Sequence, residues 1–121
     1  MKVVDASAIA CLLFDEPRAE EVAELLGDSQ MAAPTLLRYE VASACRKKAQ
    51  RHPDQSESLL AALSLLPELG IEELEVPADD VALLAVEFEI TSYDAAYVWL
   101  QQALDAELVT LDEDLAEAAR F

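Results

Sequence analysis

The chain has 121 residues, of which 25 are acidic and 8 basic, giving a formal net charge of −17. A chain of this length fits a single domain, spanning residues 1–121, that buries roughly two-thirds of the surface its unfolded state exposes. The charge argues against holding nucleic acid on a broad positive face, and no apolar run approaches the ~18 residues of a membrane span. The opening "MKVVDASAIACLLF" interrupts its apolar run at Asp5 and lacks a small-residue cleavage site, so a cytoplasmic protein is expected.

The elements read in chain order as follows. "MKVV" is a short strand candidate, followed by a helical pattern over residues 6–14 and a second helix over 17–26, entered through Pro17 and ended by Gly27. "QMAAP" is a weak second strand. Residues 35–51 form a long amphipathic helix with Thr35 as its cap, stopping before Pro53, and residues 54–66 form another. "IEELEVP" alternates as a strand does, residues 78–89 and 93–104 are helical, "AELVTL" is a strand, and residues 113–120 close the chain as a helix. Strands separated by helices imply parallel pairing and an α/β sandwich. Cys11 and Cys45 each fall on an apolar helical face, which suits reduced core thiols better than a disulfide.

Charge is distributed unevenly along this framework. Residues 1–51 hold seven basic and eight acidic side chains, whereas residues 52–121 hold one basic residue, Arg120, and seventeen acidic ones. The one basic cluster is "CRKKAQR", with Arg46, Lys47, Lys48 and Arg51. It would either complement the negative end of its helix or contact a polyanion.

Four carboxylates stand out by position. Asp5 follows the first strand and opens a helix, and Asp112 does the same after the last strand. Both therefore fall at the carboxyl edge of a parallel sheet, where ligands bind. Each could also serve simply as an N-cap. Asp94 sits inside the apolar and aromatic run "ITSYDAAYVWL", where Thr91 and Asp94 have the spacing of a capping box. Glu40 shares a helix face with Leu37, Val41 and Ala44, and neither Arg38 nor Lys47 is spaced to pair with it. Gathered in one place, four carboxylates would repel one another, and a divalent cation would relieve the conflict. All-oxygen ligation selects Mg²⁺ or Mn²⁺, and water bound to such an ion can be made nucleophilic.

The segments carrying these acids resemble the PIN-domain ribonucleases, and among them the VapC-like toxins of prokaryotic toxin–antitoxin pairs. "VVDASAI" resembles the family's opening strand with its first acid and the hydroxyl that follows, here Asp5 and Ser7. "APTLLRYEVASA" is similar to the helix bearing the second acid, Glu40; "TSYDAAYVWLQQAL" supplies Asp94; "LVTLDEDLAEAA" supplies Asp112 with Thr110 beside it. The resemblance covers nearly the whole chain. It implies a PIN-like three-layer sandwich, a short parallel sheet flanked by helices, and a Mg²⁺- or Mn²⁺-dependent endoribonuclease that dimerises and is inhibited by a cognate antitoxin. It also implies that Asp5, Asp94 and Asp112 are metal ligands, that Glu40 is a ligand or orients water, and that Ser7 and Thr110 support them from behind. Asp114 is a further candidate. RNA contacts would fall to Lys2, Arg38 and the cluster of Arg46, Lys47, Lys48 and Arg51.

Other readings fit less of the sequence. The scarcity of basic residues favours a PIN-like module that binds protein without turnover, while the presence of all four acids disfavours it. A phosphoacceptor receiver domain needs a lysine near its last strand, and residues 52–119 contain no lysine or arginine. A Ser–His–Asp hydrolase is disfavoured because the single histidine, His52, lies in the polar turn "QRHPD".

Overall fold

The computed structural model describes residues 1–119. Four short parallel strands, β1 (Lys2–Val4), β2 (Met31–Pro34), β3 (Glu72–Leu74) and β4 (Glu107–Val109), form one sheet in the order β3-β2-β1-β4. The register pairs Val3 with Ala32 on one side and with Leu108 on the other. Seven helices connect and flank the strands: α1 (Ala6–Leu13), α2 (Ala19–Leu26), α3 (Leu37–Arg51), α4 (Ser56–Leu63), α5 (Ala78–Phe88), α6 (Ser92–Ala103) and α7 (Glu113–Ala118). This is the α/β, PIN-like sandwich that the sequence predicts.

The strand order determines where the helices go. From β1 through β3 the chain steps across the sheet in one direction, then returns past β1 to place β4 on its far side. Right-handed crossovers therefore put α1 to α4 on one face and α5 and α6 on the other. Helix α6 packs against β1, β2 and β4, burying Ala95, Ala96, Tyr97, Val98 and Leu100. The small pair Ala95 and Ala96 lets α6 approach the sheet closely, and Val3, Val4, Ala33 and Val109 meet it in the common core. Cys11 and Cys45 are buried free thiols. Among the described residues, no helix is long and apolar enough to cross a membrane.

Several boundaries differ from expectation for identifiable reasons. Thr35 does not cap α3: its N–H donates to Leu74 O at 3.1 Å, which extends the β2–β3 ladder and keeps its backbone with the sheet. The helix begins one residue later, with Leu36 at the N-cap and no side-chain cap bond. Glu40 thus lies in the first turn of α3. Helix α2 starts at Ala19 instead of Pro17, since Asp15 at φ 49° reverses the chain and Pro17 and Arg18 complete that turn. The helix expected over residues 54–66 is broken into 3₁₀ turns at Pro53–Gln55 and Leu66–Leu69 around the shorter α4. A proline opens the first and occupies the second, and the residue before a proline is disfavoured in helix. Helix α7 ends at Ala118, and residue 120, the last of the predicted helix, lies outside the described residues.

Candidate active site

The point where the chain reverses direction in the sheet lies between β1 and β4, and it opens a crevice at their carboxyl ends. Asp5 leaves β1 to start α1 on one side of the crevice; Asp112 follows β4 and starts α7, which packs on α6. Asp5 is 4% exposed and is the one buried charged residue among those described. Its carboxylate is held from three directions. Ala8 N–H donates to Oδ1 at 3.0 Å, Ser7 Oγ donates to Oδ1 at 2.8 Å, and Thr110 Oγ1 donates to Oδ2 at 2.5 Å. The same hydroxyls accept in turn: Leu111 N–H donates to Ser7 Oγ at 2.9 Å, and Asp112 N–H donates to Thr110 Oγ1 at 3.0 Å. Residues more than a hundred positions apart thereby stitch the β1 and β4 loops together through one carboxylate.

Asp112 caps α7, its Oδ1 accepting from Asp114 N–H at 2.9 Å and Leu115 N–H at 3.2 Å. Its other oxygen takes no part in the cap. Asp94 lies in the first turn of α6, where Thr91 Oγ1 accepts from Asp94 N–H at 3.1 Å. The capping hydroxyl thus serves the backbone and leaves the Asp94 side chain on the half-buried cleft wall. Glu40, from the opposite face of the sheet, reaches the cleft and accepts a 2.6 Å hydrogen bond from the hydroxyl of Tyr97.

The charges of these side chains act on one another. Burial first, and then the charge of Asp112, raise the Asp5 carboxyl above its ordinary value, against the three donors that stabilise its anion. Burial raises Glu40, and Asp94 and Asp5 push it in the same direction while the Tyr97 bond opposes them. Asp94 is raised by burial and then by Asp112, Asp5 and Asp114. Among the described residues, no lysine or arginine figures among the causes for any of the three. Among the described residues, no three Asp, Glu, His or Cys side chains are grouped closely enough to enclose one metal ion. The carboxylates offer only oxygen donors, the type a hard cation takes.

Comparison with known proteins places this cleft in a family. The family model for the PIN domain matches residues 2–121. The chain belongs to the PIN-domain family. It is 36% identical over 120 residues to Ribonuclease VapC3 of Pyrobaculum aerophilum, covering 95% of this chain and 92% of that protein. It is 30% identical over 120 residues to Ribonuclease VapC9 of Mycobacterium tuberculosis, covering 99% of this chain and 92% of the relative. Its structure is similar to the crystal structure of PAE2754 from Pyrobaculum aerophilum, with a TM-score of 0.81, 26% identity, and coverage of 98% of this chain and 84% of the other.

Within this PIN domain, Asp114 lies at the mouth of the cleft. With Asp94, Phe88, Ile90, Thr91 and Ala118 it lines a cavity of about 660 Å³ between the start of α6 and α7. The basic candidates sit elsewhere. Lys2 donates to Leu25 O and lies 3.6 Å from Glu107, and Arg38 forms a two-pronged pair with Glu73 at 3.0 and 2.8 Å. Lys48 is 2.7 Å from Glu16 and lies over the Phe14 ring. Arg46, Lys47 and Arg51 are exposed, about 9–16 Å along the α3 axis from Glu40 at 1.5 Å per residue.

Tyr97 is the site residue that sequence reasoning missed. It is 1% exposed and reads as an ordinary core aromatic. A signal was present nonetheless: Tyr97 lies three residues after Asp94, on the same face of α6.

Proposed function

We propose that this PIN domain is a VapC-like toxin, an endoribonuclease dependent on Mg²⁺ or Mn²⁺ that hydrolyses RNA phosphodiester bonds. What supports this reading is that the charges of Asp5, Glu40, Asp94 and Asp112, from four separate segments, act on one another, with no lysine or arginine among the described residues counted against them. The kinship with proteins named as VapC ribonucleases supports the same reading. Asp5, Asp94 and Asp112 would hold the ion, some of them through water, and Glu40 would join them or orient a water. When bound, the ion would lower the pKa of attacking water and neutralise charge developing on the phosphoryl oxygens.

The chain's own groups do the positioning. Ser7, Thr110 and Ala8 N–H engage both oxygens of Asp5 and fix the carboxylate in one orientation. Tyr97 holds Glu40 by one oxygen, leaving the other to accept a proton from water. A carboxyl raised by burial is better matched to that task near neutral pH than an exposed one. In this reading the protein acts in the cytoplasm as a homodimer, and a cognate antitoxin inhibits it.

The test is cleavage of an RNA pool by purified protein with Mg²⁺ or Mn²⁺ against chelator. Asp94→Asn should keep the fold and lose metal-dependent cleavage. Asp105→Asn is the control: Asp105 is exposed at φ 47°, a conformation asparagine adopts readily, and this variant should cleave as the parent does. Equal activity in both variants would remove Asp94 from the site, and a PIN-like module that only binds protein would then become the better reading.

A further inference from the structure

Among the described residues, positive charge is either paired or set along α3 away from Glu40. Lys2, Arg18, Arg38 and Lys48 are each engaged by a carboxylate, and the free cations Arg46, Lys47 and Arg51 stand at the far end of α3 from Glu40. Counterion release by Lys and Arg, the usual source of sequence-independent affinity, is therefore weak at the cleft. Single-stranded nucleic acid has a second general source of affinity, the stacking of bases on exposed aromatic rings.

Two exposed aromatic rings border the cleft. Tyr39 is 70% exposed and Tyr93 is 64% exposed, although tyrosine side chains usually bury most of their ring. Each immediately precedes a cleft acid, Tyr39 before Glu40 in the first turn of α3 and Tyr93 before Asp94 in the first turn of α6. Successive helical residues diverge by about 100°, so as each acid turns into the cleft its tyrosine stands out on the rim. The two rims are opposite walls of one space, because Glu40 is bonded to Tyr97 of α6 and is acted on by the Asp94 charge. Arg38, which precedes Tyr39, is itself fixed to Glu73.

We propose that Tyr39 and Tyr93 stack the bases on either side of the scissile phosphate. The inference rests on the ribonuclease reading and adds to it the residues that hold the substrate. A duplex keeps its bases stacked on one another and offers the rings nothing.

The experiment uses the full chain and a fluorescein-labelled single-stranded oligoriboadenylate, with the same strand in duplex as comparison. Cleavage is measured with Mn²⁺, and binding by anisotropy in an Asp112→Asn background. Tyr39→Leu and Tyr93→Leu should each weaken single-strand binding at least about fivefold, the lower end of what one stacked base contributes, and the pair at least about 25-fold if the sites are independent. Tyr39→Phe and Tyr93→Phe, which keep the ring, should bind within about twofold of the parent, because stacking needs only the aromatic face. The slope of log affinity against log salt should not change, since no phosphate contact is lost, and duplex binding should be weak in every variant. If the parent cleaves RNA and the leucine variants bind and cleave as it does, the tyrosines are not a stacking platform and the proposal is overturned while the ribonuclease reading stands. A parent that neither binds nor cleaves the strand overturns both.

Discussion

Replacing Tyr97 by Phe removes one oxygen from the core and tests whether Glu40 is held by it. The hydroxyl donates to Glu40 Oε1 at 2.6 Å from a residue that is 1% exposed, so no water stands ready to replace it. A hydrogen bond to a charged partner contributes about 1.5–3 kcal/mol. In a domain of this size each kcal/mol moves the melting temperature by about 3–5 °C, so Tyr97→Phe should lower Tm by about 5–15 °C. The loss should depend on pH with a definite sign. Burial raises the Glu40 carboxyl while the Tyr97 bond pulls it down, so the bond's contribution is present above the folded pKa of Glu40 and fades as pH falls through it. Melting followed by circular dichroism, in chelator, at about pH 8 and about pH 4.5 should show a wide gap between variant and parent at the higher pH and a narrow one at the lower. An equal gap at both would mean the hydroxyl serves packing alone, and no gap at either would remove the bond from the account.

Three further outcomes follow from the same geometry. Mg²⁺ or Mn²⁺ at ~100 Kd should stabilise the protein by about 2.7 kcal/mol and raise Tm by roughly several degrees; melting curves unmoved up to ~10 mM metal would show that the acids form no cation site, since tight enough sites saturate well below that. Without metal, Asp5, Glu40 and Asp94 each bind a proton more tightly when folded than when unfolded, so stability should fall as pH rises through their folded pKa values. A metal-free Tm that does not increase on acidification from about pH 8 toward about pH 5 would contradict this. Replacing Arg46, Lys47 and Arg51 by glutamine should flatten the salt dependence of RNA affinity if the end of α3 touches phosphate, and an unchanged slope measured by titration would leave those residues a helix-end role.

The architecture and the positions of the four acids on it were legible, because short runs and sheet topology are local pattern; their role as a site is the proposal. Short apolar runs mark the strands, and an acid at the end of β1 or β4 is placed by the topology of any open parallel sheet. What the sequence hid was the lateral contact. Periodicity identifies the inward face of α3 and of α6, yet it does not say that Glu40 on one meets Tyr97 on the other. The missed cap has the same origin: Thr35 is a good capping residue locally, but its bond to Leu74 O keeps its backbone with the sheet. The carboxylate partners of the basic residues were hidden for a related reason. Lys2, Arg38 and Lys48 find their carboxylates 105, 35 and 32 positions away along the chain, at Glu107, Glu73 and Glu16, and no helix-spacing rule reaches so far.

Pairing β4 against β1 has a consequence for biosynthesis. Until Glu107–Val109 dock beside Lys2–Val4, Asp5 lacks its Thr110 donor, Ser7 lacks its Leu111 partner, and Asp112 has no place in the crevice. A ribosome has then made Glu40 and Asp94 already, yet the growing chain holds only part of an acid cleft beside an uncovered strand edge. Pairings between such distant segments form late. A chain broken off before β4 would carry three of the four acids, without Asp112 and without the Thr110 hydroxyl that holds Asp5.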